Sequence, residues 1–327
     1  MTYKFCVELS HFANNPAYAH YQVFHYTSPL PDKRTNAAYL MGAYELLVLG
    51  RSPEEAWAPF AKLDVFRVFR DASPGSSLYG CTLLDCYRAL AKAVKLNWFS
   101  LDSFNVKEYE HFEQLQHGDL NWIQPGKLMA FSCPSENTYD LHGFPASQPE
   151  DYVRIFRHMG VTAVVRLNAA SYDSTKFTRQ GLRHYDLIYS DGSCPSDDTV
   201  RRFLAICESE RGAVAVHCKA GLGRTGTLIA CYLMAKHHFL PEEVIPWLRI
   251  CRPGSILGRQ QSFLFELPPR LARWGEQLFH EPPPSEPPTP SAEQEAADAA
   301  EADQAQRLLL AKRRYQLQNS PVSVECN

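Results

Sequence analysis

Val216-His217-Cys218-Lys219-Ala220-Gly221-Leu222-Gly223-Arg224-Thr225-Gly226 is the stretch on which the fold turns. The apolar run Gly212-Ala213-Val214-Ala215-Val216 leads into it, and Thr227-Leu228-Ile229-Ala230-Cys231-Tyr232-Leu233-Met234 leads out. That order reads as a buried strand, a tight glycine loop and the N-terminus of a helix. Such a turn binds an oxyanion, because the first N–H groups of a helix lack intrahelical partners and the helix dipole adds positive potential where they converge. Cysteine at the first loop position puts a sulfur under that anion, and arginine six residues later sets a forked, permanently charged guanidinium beside it. A phosphate held there faces a nucleophile.

Upstream of the loop, strand and helix patterns alternate. Residues 121–122 and 127–131 open the unit, followed by a helix over 149–159, a strand over 161–167, a helix over 176–180, a strand over 184–189, a helix over 196–208 and a strand over 213–216. This alternation implies an α/β unit with a central, mainly parallel sheet and helices on both faces. Ligands in such sheets sit at the carboxyl ends of strands, where the glycine loop lies.

Further upstream the pattern repeats. A strand candidate, Tyr21-Gln22-Val23-Phe24-His25-Tyr26, is followed by Arg34-Thr35, by a helical run over 36–47 and by Pro53-Glu54-Glu55-Ala56 at the next helix start. His25-Tyr26 parallels His217-Cys218, Arg34-Thr35 parallels Arg224-Thr225, and Pro53-Glu54-Glu55-Ala56 parallels Pro241-Glu242-Glu243-Val244. Tyrosine replaces cysteine and the loop glycines are missing, so the first copy is expected to be inert. Residues 81–99 read as a strong helix and 104–116 as an acidic connecting helix. The expected domains are 1–102, non-catalytic; 103–117, the connecting helix; 118–276, catalytic; and 277–327, a proline-rich and acidic tail without a core of its own. Within that tail Arg307 to Tyr315 is compatible with a short basic helix, a solvated tail being the favoured reading.

The chain has 327 residues, 45% of them hydrophobic, enough for one large or two ordinary cores. A formal net charge of −3 argues against nucleic acid as a general partner. Ten cysteines without a C-x-x-C pair favour reduced, mostly buried thiols over a zinc site or a disulfide framework. Neither a signal-type apolar core nor a run of membrane-spanning length is present, so no membrane is expected and the chain reads as intracellular.

The loop sets the rest of the chemistry. Cys218 is expected to react as the thiolate, attack phosphorus and form a phosphocysteine, while Arg224 follows the charge on the equatorial oxygens. Lys219, Ala220, Gly221, Leu222 and Gly223 form the phosphate cradle. Thr225 is suited to donate its hydroxyl to the sulfur, and His217 to orient the loop rather than transfer protons. An alkyl phosphate needs a proton on its leaving oxygen, and Asp191, in Tyr189-Ser190-Asp191-Gly192-Ser193-Cys194-Pro195, is the chosen acid. Asp197 and Asp198 compete but look like helix N-terminal residues. Gln260 or Gln261 would position the hydrolytic water. No metal or cofactor is required.

Residues 217–228, with Asp191-Gly192-Ser193 upstream and Ile250-Cys251-Arg252-Pro253-Gly254-Ser255 downstream, closely resemble the cell-division-cycle-fourteen dual-specificity phosphatases. The likeness extends to Gly118-Asp119-Leu120-Asn121-Trp122 and Arg34-Thr35-Asn36-Ala37-Ala38, and so covers roughly residues 3–275. It implies two tandem dual-specificity-phosphatase-like domains joined by a helix, the first without catalytic residues. It also implies phosphoprotein substrates of cyclin-dependent kinases, with phosphoserine followed by proline and basic residues further along. The family reads those basic residues with an acidic groove, to which Glu110 and Glu113 would contribute by position, Glu108 more weakly. The resemblance further implies a place in nucleus and cytoplasm, with centrosome or spindle. The family's first domain begins before the residue matching Thr2, so its first elements are expected to be missing, and its long tail to be reduced to about residues 276–327. The two other readings are a phosphoinositide phosphatase using the same loop and a phosphoprotein-binding pseudophosphatase.

Overall fold

The computed structural model describes residues 1–73, 77–139, 143, 145–274 and 306–316. Its first half is helical: α1 (Thr2–Asn14), α2 (Pro31–Leu47), α3 (Pro53–Trp57) and α4 (Leu83–Lys95). Local chemistry starts these helices, and α2 begins at Pro31, five residues ahead of the expected run over 36–47. Ser52 and Glu55 make a reciprocal capping box on α3, Thr82 and Asp85 make another on α4, and prolines occupy the first turns of α2 and α3. The connecting helix, α5 (Val106–Phe112), is capped by the Asn105 side chain.

The second half is an α/β unit made of β1 (Leu120–Gln124), β2 (Leu128–Phe131), α6 (Pro149–His158), β3 (Val161–Arg166), α7 (Thr175–Thr178), β4 (Arg183–Asp186), α8 (Asp197–Ser209), β5 (Ala213–His217), α9 (Gly223–His237), α10 (Pro241–Cys251), α11 (Arg259–Glu266) and α12 (Pro268–Trp274). The strand order is β1-β2-β5-β3-β4, antiparallel between β1 and β2 and parallel elsewhere. Alternate residues face opposite ways along each strand. Val214, Val216, Ala163 and Val165 pack with α8 to α11, whereas Ala213, Ala215, Val164 and Met129 pack with α6 and α7. Both faces are covered, as strands without polar alternation require. β5 is central, and its carboxyl end delivers the glycine loop.

The first core does not stop at the connecting helix. Leu90 and Ala93 of α4 belong to the same buried cluster as Val244, Ile245 and Leu248 of α10. Lys92 on α4 pairs with Glu243 at 2.6 Å, and Tyr109 on α5 donates to the Cys251 carbonyl at 3.1 Å.

Two expectations are corrected. The run Tyr21 to Tyr26 forms no strand, and Tyr26 is 91% exposed. A strand needs neighbours to pair with, and among the described residues of the first half the one ladder contact is the bridge between Phe69 and Cys81. The repeat survives as helix order alone: Arg34 and Thr35 lie in α2 and Pro53 opens α3, as Arg224 and Thr225 lie in α9 and Pro241 opens α10. Secondly, residues 306–316 form a docked helix, α13, and not a solvated tail. Leu308, Leu309 and Lys312 recur at helical spacing, and this face buries itself on the second half. The proline-rich stretch 281–290 and Ser320 lie outside the described residues.

Candidate active site

Cys218 follows β5 directly, and the loop then turns through Gly221, whose φ of +65° favours glycine. A Cβ at Gly221 would lie 2.0 Å from the Phe131 carbonyl oxygen, so only glycine lets the loop pass the end of β2. Cys218 is 3% exposed at the base of a pocket lined by Asp191, Gly192, Ala220, Leu222, Gly223, Leu257, Gln260 and, from α13, Leu308.

The loop's shape depends on Arg252, which is 0% exposed. Its Nε donates to the Gly221 carbonyl at 2.7 Å and its Nη2 to the Ala220 carbonyl at 3.0 Å. Because a peptide is planar and trans, turning those two carbonyls toward Arg252 turns the following N–H groups, of Gly221 and Leu222, the opposite way. Arg252 Nη1 donates to the Asp119 carbonyl at 3.0 Å and to Asn121 Oδ1 at 2.7 Å, and lies 3.1 Å from Asp119 Oδ1. Asp119 is itself 1% exposed, and its Oδ2 is buried without a hydrogen bond. Both residues stand in motifs that carry the resemblance, yet from sequence neither is assigned a role in the site. The available signals were the Gly118-Asp119 pair ahead of β1, which the structure places at positive φ, and the Pro253-Gly254 turn after Arg252.

Arg224 is anchored at the ends of two strands. Its Nη1 donates to the carbonyls of Leu167 (3.2 Å) and Tyr189 (2.8 Å), and the Tyr189 hydroxyl donates to the Arg224 carbonyl at 3.0 Å. Asp191 Oδ1 lies 3.2 Å from Arg224 Nε, an ion pair set off the N–H axis rather than a linear hydrogen bond. The acid candidate, the guanidinium and the sulfur therefore meet in one place. Asp197, by contrast, pairs with Arg270 at 3.0 Å, and Asp198 lies 3.8 Å from Arg202, both in the first turn of α8.

His217 is fully buried. Its Nδ1 lies 3.1 Å from the Cys218 carbonyl and its Nε2 2.8 Å from the Tyr172 hydroxyl. The carbonyl can only accept, which places the proton on Nδ1 and lets Tyr172 donate to Nε2. Burial holds its pKa well below the usual histidine value, so the ring is neutral. Thr225 is also fully buried, but its hydroxyl makes no hydrogen bond, so the expected donation to sulfur is not formed in this geometry.

The two glutamines separate. Gln260 lines the pocket, with Nε2 on the Ser193 carbonyl (3.2 Å) and Oε1 accepting from Leu257 N (3.1 Å). Gln261 is turned to structure: Oε1 accepts from Arg249 Nη2 at 2.9 Å and Nε2 donates to the Gly258 carbonyl at 3.2 Å. Neither is the surface residue that glutamine commonly is. The Lys219 carbonyl accepts from Cys133 N at 3.1 Å, tying the loop to the end of β2.

Of the acidic residues on the connecting segment, Glu108 sits in the first turn of α5, where Asn105 Nδ2 donates to it at 3.2 Å. Glu110 is ion-paired with Lys4 of α1. Glu113 alone faces the Asp119 region. Burial raises its pKa, opposed by the charges of Lys312 and Arg252. Among the described residues no group of histidine, cysteine and carboxylate side chains could hold a metal ion, and no helix is long and apolar enough to cross a membrane.

Comparison with known proteins covers both halves. Residues 1–93 match the family model for the dual specificity protein phosphatase N-terminal half, and residues 118–264 match that for the Swiss Army Knife DSP-PTPase phosphatase domain. The chain is 48% identical over 268 residues to dual specificity protein phosphatase CDC14A of Homo sapiens, covering 81% of this chain and 45% of that relative. It is 48% identical over 280 residues to CDC14AB of Danio rerio, with 85% and 46% covered. To the tyrosine-protein phosphatase cdc-14 of Caenorhabditis elegans it is 43% identical over 235 residues, with 71% and 33% covered. The chain thus spans less than half the length of these curated relatives. Matched in order through both halves, including the loop from Cys218 to Arg224, it belongs to the CDC14 family of dual specificity protein phosphatases.

Proposed function

We propose that this chain is a cysteine-dependent protein phosphatase that hydrolyses phosphoserine, phosphothreonine and phosphotyrosine in proteins. The observation that carries this reading is the meeting of Cys218, Asp191 and Gln260 in one pocket, with Arg224 beside Asp191. Family membership supports the same activity.

A phosphate monoester entering the loop takes hydrogen bonds from its backbone N–H groups and from Arg224, displacing Asp191 from the guanidinium toward the leaving oxygen. Cys218 Sγ attacks phosphorus; the S–P bond forms, the P–O ester bond breaks, and the leaving oxygen takes the Asp191 proton. Gln260 then holds a water, whose oxygen attacks phosphorus as its proton passes to the Asp191 carboxylate. The S–P bond breaks and inorganic phosphate leaves. The buried Thr225 hydroxyl, which makes no hydrogen bond in this geometry, would have to turn toward Cys218 to assist the departing thiolate. Arg252 acts through the loop and touches no substrate, which makes it a positioning residue.

For specificity, we infer a preference for phosphoserine followed by proline, with a basic residue downstream, as at sites of cyclin-dependent kinases. Glu113 and Asp119 support the basic preference by their position beside the loop. Glu110 supports it less, since it is already paired with Lys4. A phosphoinositide headgroup finds little in this loop, where Leu222 is buried and Lys219 is the one added cation.

The test is phosphate release from phosphoserine, phosphothreonine and phosphotyrosine peptides with and without a following proline, beside an aryl phosphate and an inositol phosphate. Proline-directed phosphoserine peptides should turn over fastest. Cys218→Ser should abolish release while phosphopeptide binding persists. Asp191→Ala should slow alkyl phosphates about 10²–10⁴-fold and the aryl phosphate much less. Faster release from the inositol phosphate would transfer the reading to lipid substrates, and binding without any release would make the chain a phosphoprotein-binding module.

A further inference from the structure

Helix α13 lies over the mouth of the pocket just described. Leu308 is one of the residues lining it, and Leu308 and Leu309 pack on Ala220 and Leu222 of the loop. One turn further on, Lys312 Nζ pairs with Asp119 Oδ1, the oxygen already facing Arg252. Its side chain is only 19% exposed, and burial draws its pKa down against the raising effect of Asp119. Two turns on from Leu309, Gln316 Nε2 donates to the Glu113 carbonyl at 3.1 Å. The segment 306–316 carries Arg307, Lys312, Arg313 and Arg314 and no acidic residue. An isolated helix of this length is marginal in water, so its order comes from this docking.

We propose that α13 is an intrasteric inhibitor: Leu308 covers the approach to Cys218 while Lys312 occupies the carboxylate subsite that a basic residue of the substrate would use. The proposal rests on the phosphoprotein reading above. Both charges and shape favour this occupant, because an acidic, largely buried Asp119 receives an ammonium and an apolar loop rim receives two leucines. Asp119 also links the subsite to the chemistry, since its other partner, Arg252, holds the loop carbonyls. A substrate must therefore displace the chain's own lysine before it engages the subsite.

Attachment through the same chain makes weak contacts sufficient. At an effective concentration of about 1 mM, a contact with a Kd of about 0.1 mM keeps the mouth covered roughly nine-tenths of the time. Removing the contact then raises apparent substrate affinity about tenfold.

The experiment uses the full chain with Leu308→Asp plus Leu309→Asp and, separately, Lys312→Glu. Both should lower KM for a phosphoserine-proline peptide carrying a downstream lysine, toward the tenfold limit, with kcat unchanged. Lys312→Glu should do so for that peptide and leave KM for a peptide lacking the lysine much less affected. A synthetic peptide of residues 306–316 should inhibit the leucine variant competitively. The same substitutions on a Cys218→Ser background should tighten phosphopeptide binding by the same factor, a readout that needs no turnover. Tighter binding with no phosphate release from any chain would uphold α13 and sink the enzyme reading. Normal release with KM and binding unaltered in both variants would overturn the inhibitor and leave the enzyme standing.

Discussion

His217 stands next to Cys218, the proposed nucleophile, yet both of its ring nitrogens are committed to structure, one to the Cys218 carbonyl and one to Tyr172. The Tyr172 hydroxyl also meets His184 Nε2 at 2.8 Å, and the Tyr172 carbonyl accepts from Arg166 Nη1, while Nε and Nη2 of the same guanidinium donate to the Asp186 carboxylate. This buried row fixes where the loop begins. It also sets a pH dependence. Burial lowers the His184 pKa from 6.5 to about 4, against the opposing pull of Asp186, and lowers that of His217 as well. Below pH 6.5 the unfolded chain then binds more protons than the folded one. The stability the His184 ring contributes is complete above pH 6.5 and is lost as pH falls through about 4. For His184 that amounts to roughly 3 kcal/mol. Melting temperature should fall across this window, and His184→Gln, which keeps a donor toward Tyr172, should flatten the fall; an unchanged slope would remove His184 from the cause.

Loop and strand meet most closely where Gly221 passes Phe131. Gly221→Ala puts a methyl group against backbone, which cannot rotate away, at a φ that disfavours alanine. The loop must shift, and a misplacement of about 1 Å costs on the order of 10²-fold in rate. We expect that loss in kcat/KM together with about 1–3 kcal/mol of stability, read by phosphate release and thermal melts; a variant with normal kinetics would mean the N–H groups are not aimed by this turn. The strand, loop and helix around Cys218 were legible because glycine spacing and an apolar run are local signals. The strand expected over residues 21–26 was misread for the converse reason. Its residue types fit a strand, but among the described residues of the first half no neighbouring strand satisfies its backbone.

Across the whole molecule the two halves share one core. Leu90 of α4 is 1% exposed and lies in the same cluster as Val244 and Leu248 of α10. The halves should therefore unfold together. Leu90→Ala should cost about 2–5 kcal/mol and lower the denaturation midpoint of both halves, followed by amide exchange in α2 and β5. Loss of protection confined to α2 would show that the second half stands alone.

What the sequence determined by itself was the shape of the loop: Cys218, Arg224 and the glycines between them encode a strand–turn–helix locally, because dihedral freedom, helix start and the candidate nucleophile lie within one short segment. Asp191 was readable as a loop carboxylate close upstream. Only the tertiary structure decided that Gln260, not Gln261, reaches the pocket, since adjacent residues on a helix face different ways. It alone revealed Arg252 and Asp119 as the frame behind the loop, because their partners are more than thirty and more than a hundred residues away. And it alone brought α13 onto that frame, through contacts of a few leucines and one lysine that composition could not distinguish from a solvated basic tail.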